Sequence, residues 1–231
     1  MKSHNLTIAT LVISLVLSSC KTPSYVPNVI NTPLFQKKGQ LNAAIHTSNS
    51  GANPQLAYAV TDHFGLMLNG SFLDEGFEPN YFKHSLVELG GGYFTTIDKT
   101  GNFEIYAGYG LGNVEGHDEF NSKLIGSWNS EVDAKVDKYF IQPSLGYTSD
   151  HFEVCLTTRM VHLRLRERLE NKNLVAGFFE PAVTLKAGGK KFKGVLQLGH
   201  SIQLFTNAEE FHYKPAIFSL GAHYSFISKK N

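Results

Sequence analysis

An all-β, antiparallel, up-and-down transmembrane β-barrel of about ten strands, with short periplasmic turns and long extracellular loops, is what this sequence predicts. Three observations carry the prediction. After Gly39 the chain breaks into ten segments in which apolar and polar residues alternate with period 2, and no segment carries a convincing helical stripe. The connectors between these segments are tight and long by turns. The face opposite the apolar one is rich in small residues, which suits the inside of a narrow barrel.

The segments cover about 40–48, 54–61, 64–73, 85–97, 102–113, 134–148, 152–166, 175–187, 192–204 and 215–228, so the barrel domain is expected over 40–228. Their two faces differ in kind. In the last segment Phe218, Leu220, Ala222, Tyr224 and Phe226 alternate with Ser219, Gly221, His223 and Ser225. Phe103, Ile105, Ala107, Tyr109 and Leu111 alternate with Glu104, Tyr106, Gly108, Gly110 and Gly112, and Phe179, Pro181, Val183 and Leu185 with Glu180, Ala182, Thr184 and Lys186. A soluble barrel would hide the apolar set and cover its other face with Lys and Glu; a membrane barrel shows the apolar set to lipid. The small, sparsely charged second face favours the membrane.

Tight connectors read "TDHF" (61–64), "DKTGN" (98–102), "SDHF" (149–152) and "AGGKKF" (187–192). Between them fall "SNSGAN" (48–53), "LDEGFEPNYFKH" (73–84), "EGHDEFNSKLIGSWNSEVD" (115–133), "RERLENKNL" (166–174) and "TNAEEFHYKP" (206–215). Tight turns at one end and long loops at the other are how outer-membrane barrels are built. An even strand count then places both ends of the barrel domain on the tight-turn side. The start of the sixth strand is open, since "SKLIGSWNSEVDAKVD" could carry the barrel above the membrane. The Asp of each repeated tetrapeptide is expected to cap its turn. Tyr58, Phe72, Tyr93, Tyr147 and Phe226 are expected at the membrane interfaces. "YFIQPSLGY" and "GFFEPAVTL" share a proline in one context, which suggests a bulge used twice.

Ahead of the barrel, Lys2 and the apolar run over 6–17 read as a signal peptide covering 1–19, too short to span a bilayer as a helix. "LSSC" at its end resembles the bacterial lipobox. That resemblance implies a lipidated Cys20 as the first mature residue; a secretory signal with a chance cysteine is the alternative. Residues 20–39 carry three prolines and no sustained period, and read as a tether, although Val29, Ile30, Leu34 and Phe35 suggest that part of it packs against something. With no acidic cluster after Cys20, the anchor is expected on the periplasmic side. Cys155 is then the one remaining thiol, so no intrachain disulfide is available, and it reads as a packed side chain.

"SYVPNVINTPLFQKKGQL" together with "AYAVTDHFGLMLNGSF" resembles the start of small outer-membrane β-barrel lipoproteins of the Bacteroidota, a family without assigned activity. The resemblance covers the mature N-terminus through the third strand. It implies fold and location, and supplies no catalytic residues. Expected partners are outer-membrane lipids and the outer-membrane assembly machinery, whose aromatic-ended last strand is approximated by Tyr224 and Phe226.

Chemistry is harder to read. Lys and Arg (21) nearly balance Asp and Glu (20), with no basic stripe to argue for nucleic acid. Glu210-x-His212 resembles the Asp-x-His pair of omptin proteases with Glu for Asp, and Asp74, His117 and Asp118 also fall on long loops. These five are the weak catalytic candidates for an omptin-like protease or a lipid A-modifying barrel, and solvated loop residues explain them equally well. His200 and Ser201 are strand neighbours and point to opposite faces. No histidine pair has a metal-ligand spacing on one face, and no cofactor is implied. Inward Tyr106, Gln142, Glu180, Lys186 and Gln203 crowd the lumen against a diffusion pore, leaving a narrow channel as an alternative. The reading that remains is a lipid-anchored envelope barrel with a structural, binding or accessory role.

Overall fold

Alternating segments become strands close to where the alternation puts them. The computed structural model describes residues 22–122, 126–169 and 171–227. Among these, eleven strand segments form: β1 (Gln40–Ser48), β2 (Gly51–Ala59), β3 (Phe64–Phe77), β4 (Asn80–Ile97), β5 (Gly101–Ser122), β6 (Gly126–Thr148), β7 (Phe152–Glu167), β8 (Asn173–Gly188), β9 (Phe192–His200), β10 (Ile202–Thr206) and β11 (Ala216–Ile227). From β1 to β9 each strand pairs antiparallel with the next, β10 pairs with β8, and β11 joins β9 to β1. β9 and β10 are one barrel strand interrupted at Ser201, whose N–H donates to Pro215 O (2.6 Å) and whose hydroxyl donates to Glu180 (3.0 Å). The result is a closed ten-stranded barrel.

The outward face is apolar over a band of fixed height. Phe64 and Phe72 on β3, Tyr139 and Tyr147 on β6, and Phe218 and Phe226 on β11 all point outward, each pair eight residues apart. Eight residues span about 27 Å along a strand, or about 20 Å along the axis of a barrel with strands tilted about 40°. Between the two aromatic levels lie exposed Leu66, Leu68, Leu89, Leu145, Leu156 and Leu220. At the upper level Tyr109, Tyr139, His162 and Phe205 form a continuous ring contact across β5, β6, β7 and β10.

Beyond the upper level the strands continue. β3 runs to Phe77, β5 to Ser122, and β6 starts at Gly126, so most of the expected loops over 73–84 and 115–133 are hairpin arms. Phe82, Gly116 and Val132 are still buried at the base of these arms, but residues 74–80 are exposed on both faces, so the alternation that marks the lower strands has no reason to persist there. Ion pairs line the outer wall: Arg166 reaches Asp137 at 2.7 Å and Arg168 reaches Asp133 at 2.6 Å.

The repeated tetrapeptides make one turn geometry twice. The Thr61 and Ser149 hydroxyls accept from the N–H of Phe64 (2.9 Å) and Phe152 (3.1 Å). His63 Nδ1 lies 3.3 Å from Phe94 O and His151 Nδ1 3.0 Å from Gly188 O, so each histidine ties its turn to the next hairpin. The capping group is therefore the hydroxyl and not the Asp. Asp62 accepts instead from the Lys38 N–H, while Lys190 at 2.8 Å holds the Asp150 carboxyl below its ordinary range. The expected proline bulges are also absent: register runs unbroken through Pro143 and Pro181, and the irregularity lies between Gln203 and Phe205.

The largest departure concerns the segment ahead of β1. Residues 22–39, read as a tether of which part packs, run through the barrel lumen, with Val29, Ile30, Leu34 and Phe35 buried. The expected signal peptide over 1–19 and lipidation at Cys20 lie outside the described residues.

Candidate functional site

Inward-facing side chains of ten strands surround this threaded segment, and its sequence explains why it can lie there. Pro23, Pro27 and Pro33 lack an N–H and so remove three donors that burial would leave unpaired. An extended segment inside a closed barrel has no neighbouring strand to pair with. Its backbone is instead satisfied by wall side chains, mostly amides.

The carbonyls of residues 28–33 each accept from a different strand. Arg159 donates to Asn28 O (3.0 Å), Gln55 to Val29 O (3.0 Å), Gln197 to Ile30 O (2.8 Å), Gln142 to Asn31 O (2.7 Å), Lys186 to Thr32 O (2.7 Å) and Asn42 to Pro33 O (2.6 Å). Asn102 donates to Phe35 O at 2.9 Å. The thread's own N–H groups find Asn53 from Val29 (3.3 Å), Gln197 from Ile30 (2.8 Å) and Glu104 from Phe35 (2.8 Å). Gln197 thus binds both the N–H and the C=O of Ile30, as a neighbouring strand would.

Asn28 is the hub of the buried charges. Its Nδ2 donates to Glu88 (2.9 Å) and its Oδ1 accepts from Lys138 (2.6 Å), which itself lies 3.0 Å from Glu88. Arg159 pairs with Glu180 at 2.7 Å, and the Tyr25 hydroxyl donates to the same carboxylate at 2.7 Å. Every member is essentially buried. Low dielectric makes such a network costly when incomplete and strong when filled, and it is the thread that fills it.

Apolar thread residues fit where the wall withdraws. A Cβ on Gly65 would stand 2.7 Å from the Phe35 ring, and one on Gly146 2.5 Å from Leu34, so glycine there makes room for the thread. Phe35 packs against Phe94 at 5.2 Å between ring centres. A residual cavity of about 10 Å³ beside Ile30, His46 and His223 has room for about one water.

Direction follows from the two ends. Gly39 donates to Ala59 O (2.8 Å) beside the tight turns, where the chain enters β1. At the other end the Thr22 hydroxyl donates to Ser130 O (3.1 Å) on the β5–β6 arm, and Ser24 N–H to His212 O (2.8 Å). The loop over 207–215 folds inward there, with Tyr25 bridged to Tyr213 and Lys214 N–H donating to Tyr25 O (3.0 Å). Tyr25, Phe178, Phe211 and Tyr213 close the mouth, with Tyr25 and Phe178 4.7 Å apart between ring centres. The thread therefore enters at the long-loop end, opposite to where the sequence puts the N-terminal anchor.

The expected inward residues Tyr106, Gln142, Glu180 and Lys186 are buried in the lumen, and Gln203 is partly buried near its mouth. Expected interfacial Tyr58, Phe72, Tyr93, Tyr147 and Phe226 all face outward and are exposed. The weak catalytic candidates do not gather. Asp74 lines an outer depression with Lys83 and Glu115. His117 and Asp118 lie on β5, not on a loop, and as strand neighbours face opposite ways. Glu210 and His212 lie beside the thread entrance, 3.8 Å apart, with the His212 carbonyl used to hold Ser24. Among the described residues no group of three or more His, Cys, Asp or Glu is placed to hold a metal ion. Sequence reasoning missed Asn28, Glu88, Lys138 and Arg159. Their signal was an Asn between apolar residues in a proline-rich stretch, together with charges in phase with the small inward face.

No family model matches the sequence, and no curated protein matches it. Similar solved structures include the KdgM porin in complex with disordered oligogalacturonate, at 12% identity, 81% of this chain, 99% of that one and a TM-score of 0.37. The CymD monoaromatic hydrocarbon channel is similar at 8% identity, 83% of this chain, 90% of that one and a TM-score of 0.32. OmpT, an outer membrane protein of Vibrio cholerae, is similar at 12% identity, 81% and 96% coverage and a TM-score of 0.18. The barrel itself rests on the strand ladder described above.

Proposed function

We propose that this protein is an outer-membrane barrel sealed by its own N-terminal segment, serving a structural, binding or accessory role at the envelope surface. The observation that carries the proposal is the thread, held at seven carbonyls by side chains from seven strands. A lumen filled in this way, with its mouth closed by an aromatic cluster, is built to stay shut. The apolar band between two aromatic levels, about 20 Å tall by the strand arithmetic above, supports a membrane span. Lipidation at Cys20, by the lipobox resemblance, belongs to the same reading. Catalysis gains no support, since Asp74, the His117–Asp118 pair and the Glu210–His212 pair line three different depressions.

The test is fractionation. The protein is expected in the outer-membrane fraction, resistant to alkaline carbonate, and to run as a folded band that shifts on boiling. Release by carbonate without detergent would sink the membrane span.

A further inference from the structure

We propose that the mature N-terminus, with any acyl group on Cys20, is displayed on the outer face of the cell, on the opposite side of the membrane from the tight turns. The inference rests on the membrane-barrel reading above and goes beyond it. It also reverses the side on which the sequence puts the anchor.

Three contacts fix the position of the last described residues before the thread. The Thr22 hydroxyl donates to Ser130 O, a Cβ on Gly116 would lie 2.7 Å from the Thr22 methyl, and Ser24 N–H donates to His212 O. Gly116 and Ser130 lie on the two strands of the β5–β6 arm and His212 in the loop over 207–215, all at the long-loop end. Gly116 lies fifteen residues along β5 from Gly101 at the tight turns. That is about 50 Å along the strand, and about 39 Å along the axis at a tilt of about 40°. Cys20 precedes Thr22 by two residues, which reach at most about 7 Å even fully extended. No conformation of residues 20 and 21 brings Cys20 to the turn side while 22–39 stay threaded.

The alternative is a thread that leaves the lumen in the membrane, and the burial opposes it. Withdrawing the segment would strip Glu88, Lys138, Arg159 and Glu180 of Asn28 and Tyr25, and would leave Gln55, Gln142 and Gln197 facing an emptied lumen.

Thiol labelling on intact cells tests the sidedness. Cys155 is buried and an acylated Cys20 has no free thiol, so an introduced cysteine reports alone. The probe is a membrane-impermeant maleimide, applied to variants that keep the heat-modifiable band. Lys21→Cys is expected to label on intact cells to the same extent as Leu169→Cys in the β7–β8 loop. Lys190→Cys, in a tight turn, is expected to label only after permeabilisation. A Lys21→Cys thiol that labels only after permeabilisation, or not at all while Leu169→Cys labels, overturns the proposal. Failure of Leu169→Cys on intact cells overturns the membrane orientation beneath it instead. Labelling of the unsubstituted protein at Cys20 removes the acyl group from the proposal, and Pro23→Cys in a Cys20→Ala background then reads the side.

Discussion

Arg159 is buried to 1% exposure on the inner wall, where its guanidinium meets the Glu180 carboxylate and the Asn28 carbonyl at once. A fork of donors in one plane suits that double task, which an ammonium would not fill. Arg159→Met keeps the volume and removes the charge, leaving Glu180 with only the hydroxyls of Tyr25 and Ser201. Loss of one partner of a buried pair costs about 3–5 kcal/mol, and the urea midpoint of the refolded barrel in micelles is expected to fall accordingly. An unchanged midpoint would mean that water reaches Glu180. At this scale the sequence was half readable. Glu180 and Lys186 fall in phase with small inward residues, so their direction follows from alternation; their thread partners, Tyr25 and Thr32, lie more than a hundred residues away in a segment with no period.

Strands β1, β7, β8 and β11 begin or end within two residues of where alternation puts them, because one face of each meets an apolar solvent and the other a crowded lumen. Upper β3, β5 and β6 were not legible for the converse reason. "LDEGF" is largely exposed on both sides and "EGHDEF" buries little beyond Gly116, and pairing there is held by backbone ladders and contacts such as the Tyr81 hydroxyl on Glu115 (3.0 Å). The thread was invisible as an element, since its hydrogen bonds come from side chains of the barrel. A test of the outer face belongs here. Leu68 stands midway between Phe64 and Phe72, 47% exposed and paired with outward Leu89. Leu68→Arg is expected to cost about 2–4 kcal/mol in lipid vesicles, the value for a cation at the bilayer midplane. A variant as stable in vesicles as the unsubstituted protein would argue that no lipid touches that face.

Among the described residues the thread fills the lumen from mouth to turns, and the purified protein in a planar bilayer is expected to stay silent; steady unitary steps would show that the thread leaves the lumen. The thread also joins the N-terminus mechanically to the wall. With the leader seated, the ring closed by the β8–β9 and β11–β1 ladders keeps room beside it for about one water. Seven strands grip the leader at once, as a ring grips an axle fitted through it. A pull on the N-terminus therefore loads the inner wall strand after strand.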